Sequence, residues 1–300
     1  MTREIALLVN PTAGRGRGAR LLDPVADRLR RDGVAVDVVV GRDGDEAFDR
    51  LRDRVAAGVD GVVALGGDGL VNIALQVVGG TDLPLGIVPA GTGNDIGRAL
   101  GLVPGDAQAA TDLVRLGHTK AVDVARANGR WFAGVLGSGF DSMVNERANR
   151  MTWPRGRSRY NVAIVAELRT FSPVPYVLEL DGEPWETEAM LVAVGNGPSY
   201  GGGMLVCPDA RLDDGLLDVT VLGPISKPEF LRVFPTVYKG THVNHPAVTV
   251  RRARSVALSA TGVTAYADGE RVSVLPVSCE TVPAGLVVYA PDTGGEITGP

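Results

Sequence analysis

Cysteine is nearly absent from this 300-residue chain. There are two, Cys207 and Cys279, and with three histidines they form no cluster of zinc-ligand spacing. A disulfide framework and a zinc site are thereby excluded, and two buried thiols in a reducing compartment are expected. His242 and His245 read as polar loop residues. Net positive charge is lacking too. The formal charge is -5, so no global basic field invites nucleic acid, and an anionic partner must be met by a local patch. No apolar stretch approaches the ~20 residues that span a bilayer. The opening run Ile5 to Val9 ends at Pro11, too short for a signal-peptide core, so no leader is expected. The expected location is cytoplasmic, with any membrane substrate approached from the surface. Also missing are an internal repeat, a Walker-type Gly-Lys-Ser/Thr sequence, and a dinucleotide fingerprint that fits Gly14-Arg15-Gly16-Arg17-Gly18.

What is present is globular: 45% hydrophobic and 22% charged residues, in a length that accommodates two ordinary domains. In the first half, short β-branched runs (Ile5 to Val9, Val34 to Val40, Val59 to Leu65, Leu83 to Val88) read as buried parallel strands. Between them, Leu21 to Arg31, Glu46 to Ala57 and Leu70 to Val78 carry apolar residues at helical spacing. This alternation predicts an open α/β sheet flanked by helices, with ligands at the carboxyl ends of its strands. After Asp123 the rhythm changes. Val122 to Ala127 and Trp131 to Val135 bracket an Asn-Gly turn and read as a hairpin. Helices are expected over Asp141 to Arg150 and Tyr160 to Phe171. From Pro175 onward, short strand-like runs alternate with turn signals, predicting a β-rich sandwich. The expected division is residues 1–125 and 126–300. The strand Gly285 to Tyr289 is open to assignment to either domain, and the tail Asp292 to Pro300 is expected to fray.

Three glycine-rich elements follow predicted strands of the first half. They are Asn10-Pro11-Thr12-Ala13-Gly14-Arg15-Gly16, Gly66-Gly67-Asp68-Gly69-Leu70 and Pro89-Ala90-Gly91-Thr92-Gly93-Asn94-Asp95. Glycine lets backbone amides approach phosphate oxygens, and a following helix N-terminus adds its positive end. One such loop is a weak signal, because any strand-to-helix turn favours the same residues. Three at one sheet edge form a strong one. A carboxylate among these glycines makes sense if a divalent cation bridges it to nucleotide phosphates.

These three motifs, in this order, resemble the diacylglycerol kinase catalytic-domain family, which also includes sphingosine and ceramide kinases. Gly201-Gly202-Gly203-Met204, Cys207-Pro208-Asp209-Ala210, Leu212-Asp213-Asp214-Gly215-Leu216-Leu217-Asp218 and Ala267-Asp268-Gly269-Glu270 are similar to its second-domain signatures. The resemblance runs from Asn10 to Glu270. It implies an N-terminal open α/β nucleotide-binding domain, like those of phosphofructokinase and NAD kinase, and a C-terminal β-rich sandwich. It further implies transfer of phosphate from ATP, with Mg2+, to a lipid hydroxyl, first of all diacylglycerol.

By the same resemblance, ATP is held at Asn10, Pro11, Thr12, Ala13, Gly14, Gly67, Asp68, Gly69, Leu70, Val71, Asn72, Ile73 and Thr92. Asp68 and Asp95 lie near the nucleotide and its magnesium, with Arg98 beside them. Glu270 matches the proton acceptor; without the family, Asp-Gly-Glu would read as a solvated hairpin tip. Asp214, with the backbone carbonyls of Arg211 and Leu216, matches a structural magnesium site, and Asp123 an acidic residue linked to that region. Leu70 stands where the family usually has Thr, and Arg15 where Lys is common. An NAD kinase-like enzyme and a nucleotide- or lipid-binding regulator weakened at Leu70 are the alternatives. Arg147, Arg150, Arg155, Arg157 and Arg159, interleaved with Met151, Trp153 and Tyr160, form either a peripheral membrane contact or a solvated loop. A homodimer is a further expectation, from the prevalence of twofold assemblies.

Overall fold

The apolar runs of the first half assemble because each is too short and too apolar to be covered by anything but a sheet with helices on both faces. The computed structural model describes residues 3–31, 33–153 and 157–291. The chain forms two units, one from the residues up to Val124 together with those from Val282 onward, the other Ala125–Thr281.

The first unit begins β1 (Glu4–Val9), α1 (Ala13–Arg30), β2 (Ala35–Val39), α2 (Gly44–Ala56), β3 (Gly61–Gly66) and α3 (Asp68–Val78). It continues β4 (Leu85–Pro89), α4 (Asp95–Ala99), α5 (Ala107–Leu116) and β5 (Thr119–Ala127), the last strand running on into the second unit. The parallel strands lie in the order β2-β1-β3-β4. Strand order reverses between β1 and β3, so the loops after these two strands flank a topological switch point, where open sheets of this kind bind ligands. Ile5, Leu7 and Val9 of β1 pack with Val25, Ala26 and Leu29 of α1 and Ala110 and Val114 of α5. By strand alternation Ala6 and Leu8 face the other side. There α2 and α3 pack on each other and against β1 and β3.

Two sequence expectations differ here. Val34 to Val40 reads as a buried strand, yet in β2 only Val39 is buried, because the strand lies at the sheet edge and pairs on one side. The first helix starts at Ala13, eight residues before the predicted Leu21, so the first glycine-rich element is an irregular opening turn of α1. Gly14 and Gly16 have φ of 56° and 84° there.

The second unit contains β6 (Arg130–Phe132), β7 (Val135–Gly139), α6 (Phe140–Arg150), α7 (Arg157–Thr170), β8 (Val174–Leu180), β9 (Glu183–Ala189), β10 (Leu191–Gly195) and β11 (Leu217–Leu222). Then come α8 (Lys227–Val233), β12 (Val248–Ala253), β13 (Ser255–Ser259), β14 (Thr264–Ala267), β15 (Glu270–Val274) and β16 (Val277–Tyr289). An antiparallel sheet in the order β12-β11-β10-β7-β14-β15 stacks on a second formed by the start of β16, β13, β8 and β9. Leu136, Val192, Val194 and Val219 of one sheet meet Tyr176, Leu178, Val256 and Leu258 of the other in a dry core. Helices α6, α7 and α8 bury a separate cluster, where Phe140 meets Phe171 and Phe230 edge-on at 5.3 and 4.8 Å. The Asn128-Gly129 turn joins β5 to β6 with φ of 48° and 84°, the expected hairpin. In the first unit, the end of β16 lies parallel to β4 through Val288 and Leu85, and Asp123 Oδ1 accepts the Ala284 amide at 2.8 Å.

Both cysteines are buried and free. Among the described residues, no helix is long and apolar enough to cross a membrane. Arg155, the side chains of Arg157, Arg159 and Tyr160, and the tail 292–300 lie outside what is described.

Candidate active site

Parallel packing places the loops after β1, β3 and β4 at one sheet edge, and glycine lets them touch. A Cβ on Gly14 would overlap the Ala90 carbonyl oxygen, joining the first loop to the third. A Cβ on Gly91 would lie 2.5 Å from Gly67 Cα, joining the third to the second. These are backbone-to-backbone contacts, so no side-chain adjustment would admit a larger residue.

Asp68, in the first turn of α3, binds the third loop. Its Oδ2 accepts the Asn94 amide at 2.6 Å and its Oδ1 the Ile96 amide at 3.4 Å. Gly93 leaves room for this carboxylate, since a Cβ there would come within 2.5 Å of Oδ2. Burial pushes the Asp68 carboxyl up from its ordinary value, and the charge of Asp95 adds to the shift; the loop amides oppose both. Arg98 lies 3.8 Å from Asp95 and donates to the Gly93 carbonyl. Asn94, which sequence reasoning gave no role, holds the third loop in shape. It sits at φ 60°, buried, and its side chain exchanges two hydrogen bonds with the Gly91 backbone at 3.0 and 3.1 Å. A Gly-X-Gly-Asn sequence before a helix was the available signal, since Asn tolerates the left-handed region.

The expected nucleotide residues separate into two groups. Asn10, Thr12, Gly69 and Thr92 are exposed, and Pro11, Ala13, Gly14, Gly67, Asp68 and Ile73 are partly so. Asn10 Oδ1 accepts both the amide and the hydroxyl of Thr12, at 3.0 and 2.8 Å. Leu70, Val71 and Asn72 are buried. The amides of Leu70 and Val71 donate to the Gly67 carbonyl at 3.0 and 3.2 Å, so these two residues support the turn. Leu70 packs over Gly66 and points into the core, away from the loop surface.

In the second unit, Glu270 is exposed at the start of β15, just beyond the turn Asp268-Gly269. Both oxygens of Asp214 have a protein partner. One of its oxygens accepts the Leu216 amide at 3.1 Å, and the other takes the Arg252 guanidinium, which also binds Asp218 at 2.8 Å. Asp213 pairs with Arg211 at 3.1 Å. Among the described residues no group of three or more His, Cys, Asp or Glu forms a metal cluster. A magnesium ion held by Asp214 and the carbonyls of Arg211 and Leu216 would compete with the Arg252 guanidinium for the Asp214 carboxylate.

The sequence matches the diacylglycerol kinase catalytic domain over residues 4–127 and the YegS C-terminal NAD kinase beta sandwich-like domain over 134–290. It is 45% identical, over 97% of this chain and 96% of the relative, to a diacylglycerol kinase of Mycobacterium tuberculosis (strain CDC 1551 / Oshkosh). The chain belongs to the diacylglycerol kinase family. It is an ATP-dependent lipid kinase. A diacylglycerol kinase crystal structure from Bacillus anthracis str. Sterne superposes on the kinase with a TM-score of 0.73, at 25% identity over 97% of each chain. An NAD kinase from Archaeoglobus fulgidus in complex with ATP shares the fold at a TM-score of 0.55 and 12% identity, over 97% of the kinase and 94% of that chain.

Sequence reasoning on the kinase missed how much of each site is support. Asp268, Asn145 and Arg252 all act through partners more than thirty residues away, and local spacing carries no record of them.

Proposed function

We propose that the kinase transfers the γ-phosphate of ATP to the free hydroxyl of diacylglycerol, giving phosphatidic acid. The three glycine-rich loops hold the nucleotide, and Glu270 takes the hydroxyl proton. What supports this most is the meeting of the three loops around Asp68 and Asp95, at the switch point of a parallel sheet. Phosphoryl transfer requires positioning and charge neutralisation far more than covalent chemistry. Two neighbouring carboxylates in a desolvated place suit a divalent cation, so Asp68 and Asp95 fit magnesium. When bound, the ion supplies charge neutralisation at the phosphate oxygens. Arg98 adds fixed positive charge at the same loop. The acceptor oxygen bonds to the γ-phosphorus as the bond to the bridging oxygen breaks. ADP leaves, and the hydroxyl proton passes to the Glu270 carboxylate.

A diacylglycerol acceptor lies in a membrane, and exposed apolar side chains on and beside helices α6 and α7 suit that surface. Trp153 is 80% exposed, Val165 59% and Met143 41%. Arg147 and Arg150 are paired with Glu167 and Glu146, so apolar insertion rather than net basic charge carries this reading.

The test is product analysis. Purified kinase with γ-labelled ATP and magnesium is offered diacylglycerol, ceramide, sphingosine and NAD, and products are separated by thin-layer chromatography. Label in phosphatidic acid, abolished by Asp68→Asn and reduced to a small measurable residue by Glu270→Gln, is expected. Label in the dinucleotide would favour an NAD kinase, and nucleotide binding without turnover on any acceptor would favour a regulator.

A further inference from the structure

Glu270 is delivered by a turn whose neighbours do more than close a hairpin. Strands β14 and β15 meet at Ala267 and Glu270, and the two turn residues, Asp268 and Gly269, have φ of 51° and 85°. A hairpin of this kind is stable with Asn or Asp folded onto its own turn. Asp268 instead reaches across the sheet. Its Oδ1 accepts the amides of Gly134 and Val135 at 2.9 and 3.2 Å, and its Oδ2 that of Ala133 at 2.9 Å. The Asp268 amide returns a bond to the Val135 carbonyl at 3.1 Å. Gly134 is shaped for this contact, since a Cβ there would stand 2.7 Å from Oδ1.

Two further features bear on the same turn. Asn145, on α6, donates from Nδ2 to the Gly269 carbonyl at 3.4 Å, tying the residue before Glu270 to a different element. The β14–β15 register also slips: Tyr266 faces Arg271 while Ala265 faces Ser273, leaving Val272 as an extra residue two positions after Glu270. Such bulges re-aim side chains and collect beside active sites. A tip held only for hairpin stability needs none of these three devices, because strand pairing already closes it.

We propose that Asp268 and Asn145 are positioning residues for Glu270, fixing the turn so that its carboxylate keeps one place from turnover to turnover. The inference rests on the reading of Glu270 as proton acceptor. Both act through the backbone on either side of Gly269. An error of about 1 Å in such a group can cost on the order of 100-fold in rate.

The test compares Asn145→Ala and Asp268→Asn with the wild type, in both the native and the Glu270→Gln background. Turnover of dioctanoylglycerol in mixed micelles, KM for ATP, and Tm are measured. Asn145→Ala is expected to lower kcat about 10-fold and Asp268→Asn about 100-fold, with KM for ATP unchanged. In the Glu270→Gln background the residual turnover should not fall further, because a positioning group has nothing left to position. The Asn145 bond to Gly269 is long and exposed, so Asn145→Ala should change Tm far less than Asp268→Asn and keeps the test valid if Asp268→Asn folds poorly. Unchanged kcat in Asn145→Ala, or losses that multiply with Glu270→Gln, would overturn the proposal. Full turnover by Glu270→Gln itself would instead overturn the reading of Glu270 on which it rests.

Discussion

Gly67 and Gly91 touch backbone to backbone, and that contact sets the spacing of the second and third glycine-rich loops. A methyl group added at Gly91 would stand 2.5 Å from Gly67 Cα and 3.0 Å from Asn94 Oδ1, the atom that shapes the third loop. Gly91→Ala should therefore separate the second and third loops, at a cost of about 1–3 kcal/mol for overpacking. ATP affinity should fall at least tenfold while the second unit is unaffected. Isothermal titration with a non-hydrolysable ATP analogue, alongside chemical denaturation, checks both parts.

Asp141 gives a pH signature. Burial pushes its carboxyl up to about 6, against the opposing bonds from the Ser142 amide and the Tyr200 hydroxyl. The folded value lies above the ~3.9 of an unfolded aspartate. The native state thus binds the extra proton between these values, and the charged carboxylate weakens the fold as pH rises through about 6. Asp141→Asn should raise stability at pH 8 by on the order of 2 kcal/mol and leave it unchanged near pH 4. Tm measured against pH for both proteins reads this directly.

Asp112 has the opposite sign. The Arg28 guanidinium, bonded to it at 2.5 and 2.7 Å, and then Arg115 hold its carboxyl at about 2, against a smaller effect of burial. This depressed value means that the ion pair between α1 and α5 contributes above the unfolded value of ~3.9 and is lost as pH falls from there through about 2. Asp112→Asn should lower stability at pH 7 by less than about 1 kcal/mol, read as a small drop in Tm, because a third of the side chain is in solvent. The difference should vanish by pH 2. A Tm difference that persists there would show that packing, not charge, is responsible.

Arg252 bridges Asp214 and Asp218, and the Asp218 carboxylate is almost fully buried. Removing the guanidinium leaves a buried carboxylate without its cation. Arg252→Met should cost about 2 kcal/mol in urea denaturation. If a magnesium ion at Asp214 supports the second unit instead, chelator should lower the wild-type Tm by as much, and Arg252→Met should change little.

The sequence by itself determined the first unit's plan. Parallel β-branched runs alternating with amphipathic helices send every strand's carboxyl end to one edge, so Asn10, Asp68 and Gly91 had to emerge together. Motif order along the chain was enough to identify the family. Local pattern failed where exposure or irregular pairing erased it. Glu183–Ala189 has too many charged residues to read as a strand, yet it pairs along its whole length with β8 at the sheet edge. Thr264–Ala267 is short and bulged against its partner. Only the tertiary structure decided what the acidic residues do. Asp268 and Glu270 are two positions apart, but one is held by amides more than 130 residues away and the other faces solvent. Leu70 points into the core because helix α3 turns it there, and Asp214 meets Arg252 because β11 and β12 pair. Periodicity records which face of an element is buried; the partner a carboxylate finds is set by how distant strands close into a sheet.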